Sequence, residues 1–193
     1  MAETVLVFGA SGNIGVSAVI GALHAKRKVI AVVRNQTSAE KIFDYVGTRD
    51  GITIAEADIT SEDSVRVIVD QVRAGKLPPF QHVFASPGGL YWETSLVALE
   101  TSALLQIMKI NFETYLYTNI RFNEIYLSYR VQHHVNLEDK KQFLGLAHLQ
   151  TSREFAPLYQ QLLDRTDIRS KRVNAINPED VVDLKYETRY RDF

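Results

Sequence analysis

Three glycines at intervals of three residues follow a short apolar run near the start of this 193-residue chain. The run, Val5 to Phe8, has the pattern of a parallel strand that is buried on both faces. Gly9, Gly12 and Gly15 follow it, and the chain is predicted to be helical from Asn13. Glycine permits tight turns and lets a pyrophosphate or a packed helix approach the backbone closely. The N–H groups at the helix start would point at such a phosphate. The segment therefore predicts the strand, turn and helix of a dinucleotide-binding fold.

The segment Gly9-Ala10-Ser11-Gly12-Asn13-Ile14-Gly15 resembles the glycine turn of the short-chain dehydrogenase/reductase family, particularly its extended and atypical branches. This resemblance implies an α/β fold of the Rossmann type, with a doubly wound and mainly parallel sheet. It also implies that Gly9, Ser11, Gly12, Asn13, Ile14 and Gly15 bind the cofactor. NmrA-like proteins share the signature and often catalyse nothing, so an enzyme and a non-catalytic binding module are both open.

The second predicted strand, Val29 to Val33, ends at Arg34, which lies 19 residues after Gly15. In dinucleotide-binding folds the residue about 20 positions past the glycines reads the adenosine ribose. An acidic residue there accepts hydrogen bonds from the hydroxyls of NAD, whereas arginine can grip a 2′-phosphate. We therefore expect NADP as the cofactor, with NAD as the alternative. A solvated arginine at a strand end would give the same pattern.

The third and fourth predicted strands each end in residues that the family resemblance assigns to the cofactor. Gly51 to Glu56 precedes Asp58, which resembles the family position beside the adenine ring. His82 to Ala85 runs into Ser86-Pro87-Gly88-Gly89, where family members carry Asn-Asn-Ala-Gly or a variant. The resemblance implies that Ala85, Ser86 and Gly88 border the ribose and the nicotinamide. Helix capping beside Asp58 and an ordinary Pro-Gly turn are the alternatives.

Residues 92–117 resemble the long interface helix of the family with its lead-in. Asn111 aligns with the helix asparagine that helps to hold a proton-relay water in active members, so it is the candidate catalytic residue. An apolar face formed by Leu104, Ile107, Met108 and Phe112 is predicted to belong to the core. The resemblance also implies that two copies of the chain associate through the 101–117 helix.

The resemblance breaks after this helix. Active members next carry a strand with a serine and a helix with Tyr-x-x-x-Lys, in which the ammonium lies one turn from the phenol and lowers its pKa. None of the nine tyrosines has a lysine four residues later. Residues 119–127 instead resemble the sixth strand of the family. The sequence thus predicts a sheet that lacks one strand and one helix of the full fold. A final helix near Thr151, delayed by Pro157, and a last strand at 173–176 complete the prediction.

Composition narrows the function further. The chain has 22 basic and 23 acidic residues, which gives no reason to expect nucleic acid or an acidic membrane as a partner. It has no cysteine, so disulfides and thiolate metal sites are excluded, and we expect no metal. We predict a single domain over residues 1–193 that is cytoplasmic and acts on a small molecule. The predicted function is an NADP(H)-dependent oxidoreductase for an unknown carbonyl or alcohol. The alternatives are a non-catalytic sensor or scaffold and a truncated, inactive family member.

Overall fold

A computed structural model describes residues 2–89, 100–118, 134–135, 152–164 and 172–173. Four parallel strands form the main sheet, in the order β3-β2-β1-β4. Its strands are β1 (Thr4–Phe8), β2 (Lys28–Val33), β3 (Ile52–Glu56) and β4 (His82–Ala85). The helices are α1 (Asn13–His24), α2 (Gln36–Val46), α3 (Glu62–Arg73), α4 (Thr101–Met108) and α5 (Ser152–Asp164). A separate parallel pair consists of β5 (His134–Val135) and β6 (Arg172–Val173).

Alternate residues of the strands bury opposite faces of the sheet. Val5 and Val7 of β1 belong to a cluster with side chains of α1, α2 and α5, whereas Leu6 and Phe8 pack with side chains of α3. Both faces are covered at β1 and β2, and this is why these two strands consist almost entirely of apolar residues. The predicted Rossmann-like, doubly wound parallel architecture is confirmed.

Local signals set the starts of α2 and α3. The side chain of Asn35 accepts a hydrogen bond from the backbone N–H of Ser38, at 3.0 Å, and α2 begins at Gln36. Ser61 accepts from the N–H of Ser64 in the same way and caps α3. Side-chain oxygens at these positions satisfy amide groups that have no partner within the helix.

The prediction that the apolar face of α4 belongs to the core is wrong. Leu104, Met108 and Phe112 are 45%, 50% and 59% exposed. After α4 the chain continues through a π-helical turn, Lys109–Glu113, into residues 114–118, which are helical. The helix meets the sheet through this last part, where Thr114 and Thr118 are buried. The helical spacing of the apolar residues correctly predicted an apolar stripe on this helix. It did not predict which side of the helix packs against the sheet.

Helix α5 starts at Ser152 and contains Pro157, so the predicted delay of this helix is also wrong. A proline inside a helix removes one backbone hydrogen bond and clashes with the preceding turn. Packing against α1 offsets that cost: Leu158, Tyr159, Leu162 and Leu163 are buried in the same cluster as side chains of α1. These four side chains form the buried face of α5.

Other predicted elements lie wholly or partly outside the described residues. These are the lead-in at 92–99, the predicted sixth strand at 119–127 and most of the predicted last strand, of which β6 includes only Val173. None of the helices in the described ranges is both long and apolar enough to cross a membrane.

Candidate functional site

The predicted site residues meet at the carboxyl edge of the sheet. Gly9 follows β1, Arg34 follows β2, Asp58 lies just beyond β3 and Ala85 is the last residue of β4. Parallel strands end at the same edge, and ligands of open α/β sheets bind outside the carboxyl ends of the strands. The fold thus brings together residues that are up to 76 positions apart in the sequence.

Two of the three glycines are required by the protein's own backbone. Gly9 has a φ of +70°, and a Cβ there would lie 2.8 Å from the carbonyl oxygen of Ser86. A Cβ on Gly15 would lie 2.0 Å from the carbonyl oxygen of Gly9. Gly9 therefore allows the turn to touch the loop after β4, and Gly15 allows α1 to pack against the turn.

Gly12 is different, because none of the described residues requires a glycine there. Its φ is −79°, which any residue adopts. A Cβ would have a single neighbour, the Gly9 carbonyl oxygen at 3.4 Å, which is ordinary van der Waals contact. Gly12 is exposed at the start of α1, and the described residues leave room beside its backbone.

The start of α1 lacks the side-chain caps that are present at the starts of α2 and α3. It has no side-chain cap and no acidic residue in its first turn, whereas Asn35 caps α2 and Ser61 caps α3. Asn13 is exposed here; Ser11 and Ile14 are half-buried, and Ile14 packs against the core. The amide groups and the positive end of the helix dipole therefore face solvent beside Gly12, where an anion is stabilised.

Asp58 is an acidic residue whose carboxylate is influenced by two cations. Its carboxylate accepts from the hydroxyl of Thr60 at 2.8 Å and from the Thr60 N–H at 3.0 Å. These hydrogen bonds lower the pKa of Asp58, and the positive charges of Arg34 and Lys109 act in the same direction. Asp58 is thus an ionised acceptor at neutral pH. Lys109 was not identified from the sequence pattern, in which it is distinguished only by its place two residues before Asn111.

Arg34 stands apart from the other arginines whose side chains the structure describes. It is exposed and has no hydrogen bond or ion pair within the described ranges. Each of the others contacts a carboxylate or a backbone carbonyl; these are Arg27, Arg49, Arg66, Arg73 and Arg153. Among the described residues, the donors of the Arg34 guanidinium are therefore unused.

The loop after β4 is held at both ends. The Ser86 hydroxyl donates to the carbonyl of Phe8 at 3.1 Å. The Asn111 side-chain amide donates to the carbonyl of Gly89 at 2.9 Å, and its oxygen accepts from the Gly89 N–H at 3.2 Å. Exposed Gly88 lies between these anchors, where a Cβ would be 3.3 Å from the Asn111 oxygen. The Asn111 side chain therefore fixes the loop, and a π-helical turn of the kind frequent at functional sites presents it.

The tyrosines near the sheet are not set up as general acids at neutral pH. A hydrogen bond to Glu113 raises the pKa of Tyr117, and burial raises the pKa of both Tyr115 and Tyr159. A catalytic tyrosine of the Tyr-x-x-x-Lys type needs the opposite shift. Tyr159 instead packs edge-to-face on Phe84, with ring centroids 5.0 Å apart.

Comparison with known proteins identifies the family. A family model described as short chain dehydrogenase matches residues 3–124. The chain is 35% identical to the short-chain dehydrogenase/reductase iacG of Pestalotiopsis fici, over 98% of this chain and 97% of the relative. The chain belongs to the short-chain dehydrogenase/reductase family.

Solved structures share the fold of this family member at low identity. ElxO with NADP bound superposes with a TM-score of 0.63 at 13% identity, over 84% of this chain and 64% of that one. A short chain dehydrogenase from Bacillus anthracis gives 0.60 at 10% identity, over 78% of this chain and 59% of that one. The chain therefore spans less than two thirds of the length of these structural relatives.

The alignment with iacG indicates where the difference in length lies. It extends over 243 residues, although this chain has 193. At least 50 aligned positions of the relative therefore have no counterpart here. Since 98% of this chain and 97% of the relative are covered, most of these positions are internal. The family model ends at residue 124, close to where the sequence pattern predicts a missing strand and helix.

Proposed function

We propose that this protein binds NADP(H) in a single dinucleotide-binding domain. We further propose that it is an oxidoreductase of the short-chain dehydrogenase/reductase type, acting on a carbonyl or an alcohol. The observation that carries the proposal is the open space above Gly12. A glycine that the protein's own packing does not need is explained by a ligand that approaches its backbone, and the unneutralised start of α1 beside it favours an anion.

The residues at the carboxyl edge fit each part of the cofactor. Gly12, Asn13 and the rest of the glycine turn would hold the pyrophosphate. Asp58 would accept a hydrogen bond from the adenine amine, and Arg34 would grip the 2′-phosphate. Ala85, Ser86 and Gly88 would border the nicotinamide ribose, in a loop that Asn111 holds in place. Bound there, the nicotinamide supplies or accepts the hydride.

The choice of NADP over NAD rests on Arg34. Its exposed guanidinium has no partner within the described ranges and lies close enough to Asp58 for its charge to lower the pKa of that carboxyl. A charge-assisted hydrogen bond contributes about 1.5–3 kcal/mol, which corresponds to a roughly ten- to hundred-fold preference for the phosphorylated cofactor. NAD is the alternative if this contact is not made.

A second candidate function is a cofactor-binding module that catalyses nothing. Two observations favour it: the sequence has no Tyr-x-x-x-Lys, and Tyr115, Tyr117 and Tyr159 have raised pKa values. A positioned proton donor contributes typically about 10²–10⁴-fold to such a reaction. We therefore expect the 193-residue chain to bind cofactor and to transfer hydride slowly or not at all.

Substituting Gly12 with alanine tests cofactor binding. The backbone conformation and the space around Gly12 admit a methyl group, so the thermal unfolding midpoint should change little. Affinity for NADPH and NADH, measured by fluorescence titration, should fall together, because both carry the pyrophosphate. Gly15→Ala is the matched comparison, and it should destabilise the fold by forcing α1 away from the turn. Unchanged NADPH affinity in a folded Gly12→Ala variant would contradict the proposal.

A turnover assay separates the two candidate functions. NADPH consumption is followed over a panel of aldehydes and ketones with the 193-residue chain. In parallel, the assay uses a version into which the unmatched segment of iacG has been inserted. An oxidoreductase missing only its proton donor should gain activity with the insertion, whereas a binding module should remain inactive. Robust turnover by the unmodified chain would contradict the expected slow reaction.

We also propose that two copies associate through the helix at residues 101–117. Leu105 at 62% exposure, Met108 at 50% and Phe112 at 59% form an apolar stripe on its surface. Burying this stripe against its own copy would remove it from water. Light scattering should give a molar mass about twice that of one chain. The Leu105→Glu variant should have the molar mass of a single chain. A single-chain mass for the unmodified protein would refute this association.

A further inference from the structure

Lys109 belongs to the helix after β4. The sequence pattern did not assign this helix to the adenosine end of the proposed cofactor site. Lys109 begins the π-helical turn and is exposed. Within the described ranges its ammonium has no hydrogen bond or ion pair. Two contacts of the same helix determine where it lies.

The first contact is made by Asn111, whose side-chain amide is hydrogen-bonded to both backbone groups of Gly89. This contact places the π-helical turn beside the loop that follows β4. The second is made by Tyr117, which packs in the same apolar cluster as Ile59 and Ala57. These two residues flank Asp58, so the helix runs beside the turn after β3. Lys109 therefore lies at the carboxyl edge of the sheet, on the Asp58 side.

The charge of Lys109 acts on this site. Asp58 is influenced by the positive charges of both Arg34 and Lys109, which belong to different elements of the fold. Arg34 follows β2, and Lys109 belongs to the helix after β4. The carboxylate of Asp58, which would bind the adenine amine, is thus influenced by two cations, and a phosphate on the adenosine ribose would enter the field of both.

We propose that Lys109 is a second specificity-determining cation, which acts with Arg34 to favour the 2′-phosphate of NADP(H) over the free hydroxyl of NAD(H). Arg34 makes the direct contact, and Lys109 contributes through its charge from the helix after β4. This inference rests on the proposed cofactor binding and extends it to the helix after β4.

The test compares the dissociation constants of NADPH and NADH for Lys109→Glu and Lys109→Gln. An unpaired charge several ångströms from a phosphate in water-exposed surroundings changes affinity by about three- to ten-fold. NADPH binding should weaken by this factor in Lys109→Glu and less in Lys109→Gln, while NADH binding changes less than about two-fold. Lys109→Arg should restore NADPH affinity. The effect should shrink as salt is raised, because exposed charges are screened.

Lys28→Glu is the matched control. Lys28 is exposed at the start of β2, on the opposite edge of the sheet, and the substitution makes the same change in net charge. It should leave both dissociation constants unchanged. Circular dichroism should show that the Lys109 variants remain folded.

The outcomes separate this inference from the proposed function. Equal weakening of NADPH and NADH by Lys109→Glu would overturn the inference, because it would indicate a contact with the shared part of the cofactor. An unchanged NADPH preference would also overturn it, and the proposed function would stand if Arg34→Ala abolishes that preference. A wild-type chain that binds neither cofactor would overturn both.

Discussion

At the scale of single residues, Lys26 occupies a backbone conformation that favours glycine. Its φ is 57°, in the left-handed region. The Lys26 N–H donates to Leu23 at 2.9 Å and the Arg27 N–H donates to Ala22 at 3.0 Å. This is the hydrogen-bond pattern of a Schellman motif, in which glycine is the usual residue at the position of Lys26. Helix α1 therefore ends in a Schellman motif, but the residue in the left-handed position is a lysine, whose backbone is strained there.

Lys26→Gly should stabilise the fold by about 1 kcal/mol, because it removes the unfavourable contact of the Cβ in this conformation. Urea unfolding monitored by circular dichroism measures the change. Gly47→Ala is the reciprocal control: Gly47 ends α2 with a φ of +78°, and nothing lies within 4 Å of a Cβ there. It should destabilise by about the same amount through backbone strain alone. A Lys26→Gly variant no more stable than the wild type would contradict this account.

Among the elements, α1 and α5 pack closely against each other, and Gly21 makes that approach feasible. A Cβ on Gly21 would lie 2.5 Å from the Ala156 carbonyl oxygen and 2.8 Å from the Cβ of Tyr159. The first of these atoms belongs to the backbone and cannot move without shifting the helix. Close contact between the helix axes therefore depends on the missing side chain.

Gly21→Ala should destabilise the protein by about 1–3 kcal/mol, the usual cost of overpacking. In an isolated helix the same change would be favourable by about 1 kcal/mol, so the sign of the effect reports the packing. The free energy of unfolding in urea provides the measurement. Near-ultraviolet circular dichroism should change as well, since Tyr159 packs against both Gly21 and Phe84. A stabilised variant would show that the two helices can move apart at little cost.

At the scale of the whole molecule, a polar network ties distant parts of the chain together at the amino edge of the sheet. The Glu3 carboxylate accepts from Arg27 at 2.9 Å and lies 3.0 Å from the buried ring of His82. Arg27 also pairs with Asp164 at 2.9 Å and donates to the carbonyl of Leu163. The network therefore joins the starts of β1 and β4, the turn before β2 and the end of α5.

The hydrogen bond to His82, followed by that to Arg27, lowers the pKa of Glu3 below its ordinary value of 4.5. The stabilisation is therefore present above about pH 4.5 and is lost as the pH falls through the lower folded-state pKa. Glu3→Gln should reduce stability at pH 7 by at most about 1 kcal/mol, because water screens a carboxylate that is 42% exposed.

Thermal unfolding between pH 3 and pH 7 tests the role of Glu3. The stability curves of wild type and Glu3→Gln should converge as the pH falls. Glu56→Gln removes an exposed carboxylate that has no hydrogen bond within the described ranges, so its curve should follow that of the wild type. A constant difference between Glu3→Gln and wild type at all pH values would exclude ionisation of Glu3 as the cause.

The sequence alone determined the features that arise from neighbouring residues. Strands β1 and β2 were predictable because a strand covered on both faces needs an almost unbroken apolar run. The glycine turn and the Ser61 cap were predictable because backbone conformation and helix-end hydrogen bonds involve residues only a few positions apart. The positions of Arg34 and Asp58 then followed from the order of strands in a parallel sheet.

The tertiary structure decided which partner each element meets, because that depends on residues far apart in the chain. The helical spacing of apolar residues in α4 predicted an apolar stripe but not that this stripe faces solvent. Pro157 is tolerated within α5 because α1 packs against that helix. Arg27, which the sequence placed at a helix end where the dipole favours a cation, instead joins Glu3 to Asp164 across 161 positions. In the same way, Lys109 reaches the carboxyl edge only because Asn111 and Tyr117 attach its helix to strands that precede it in the sequence.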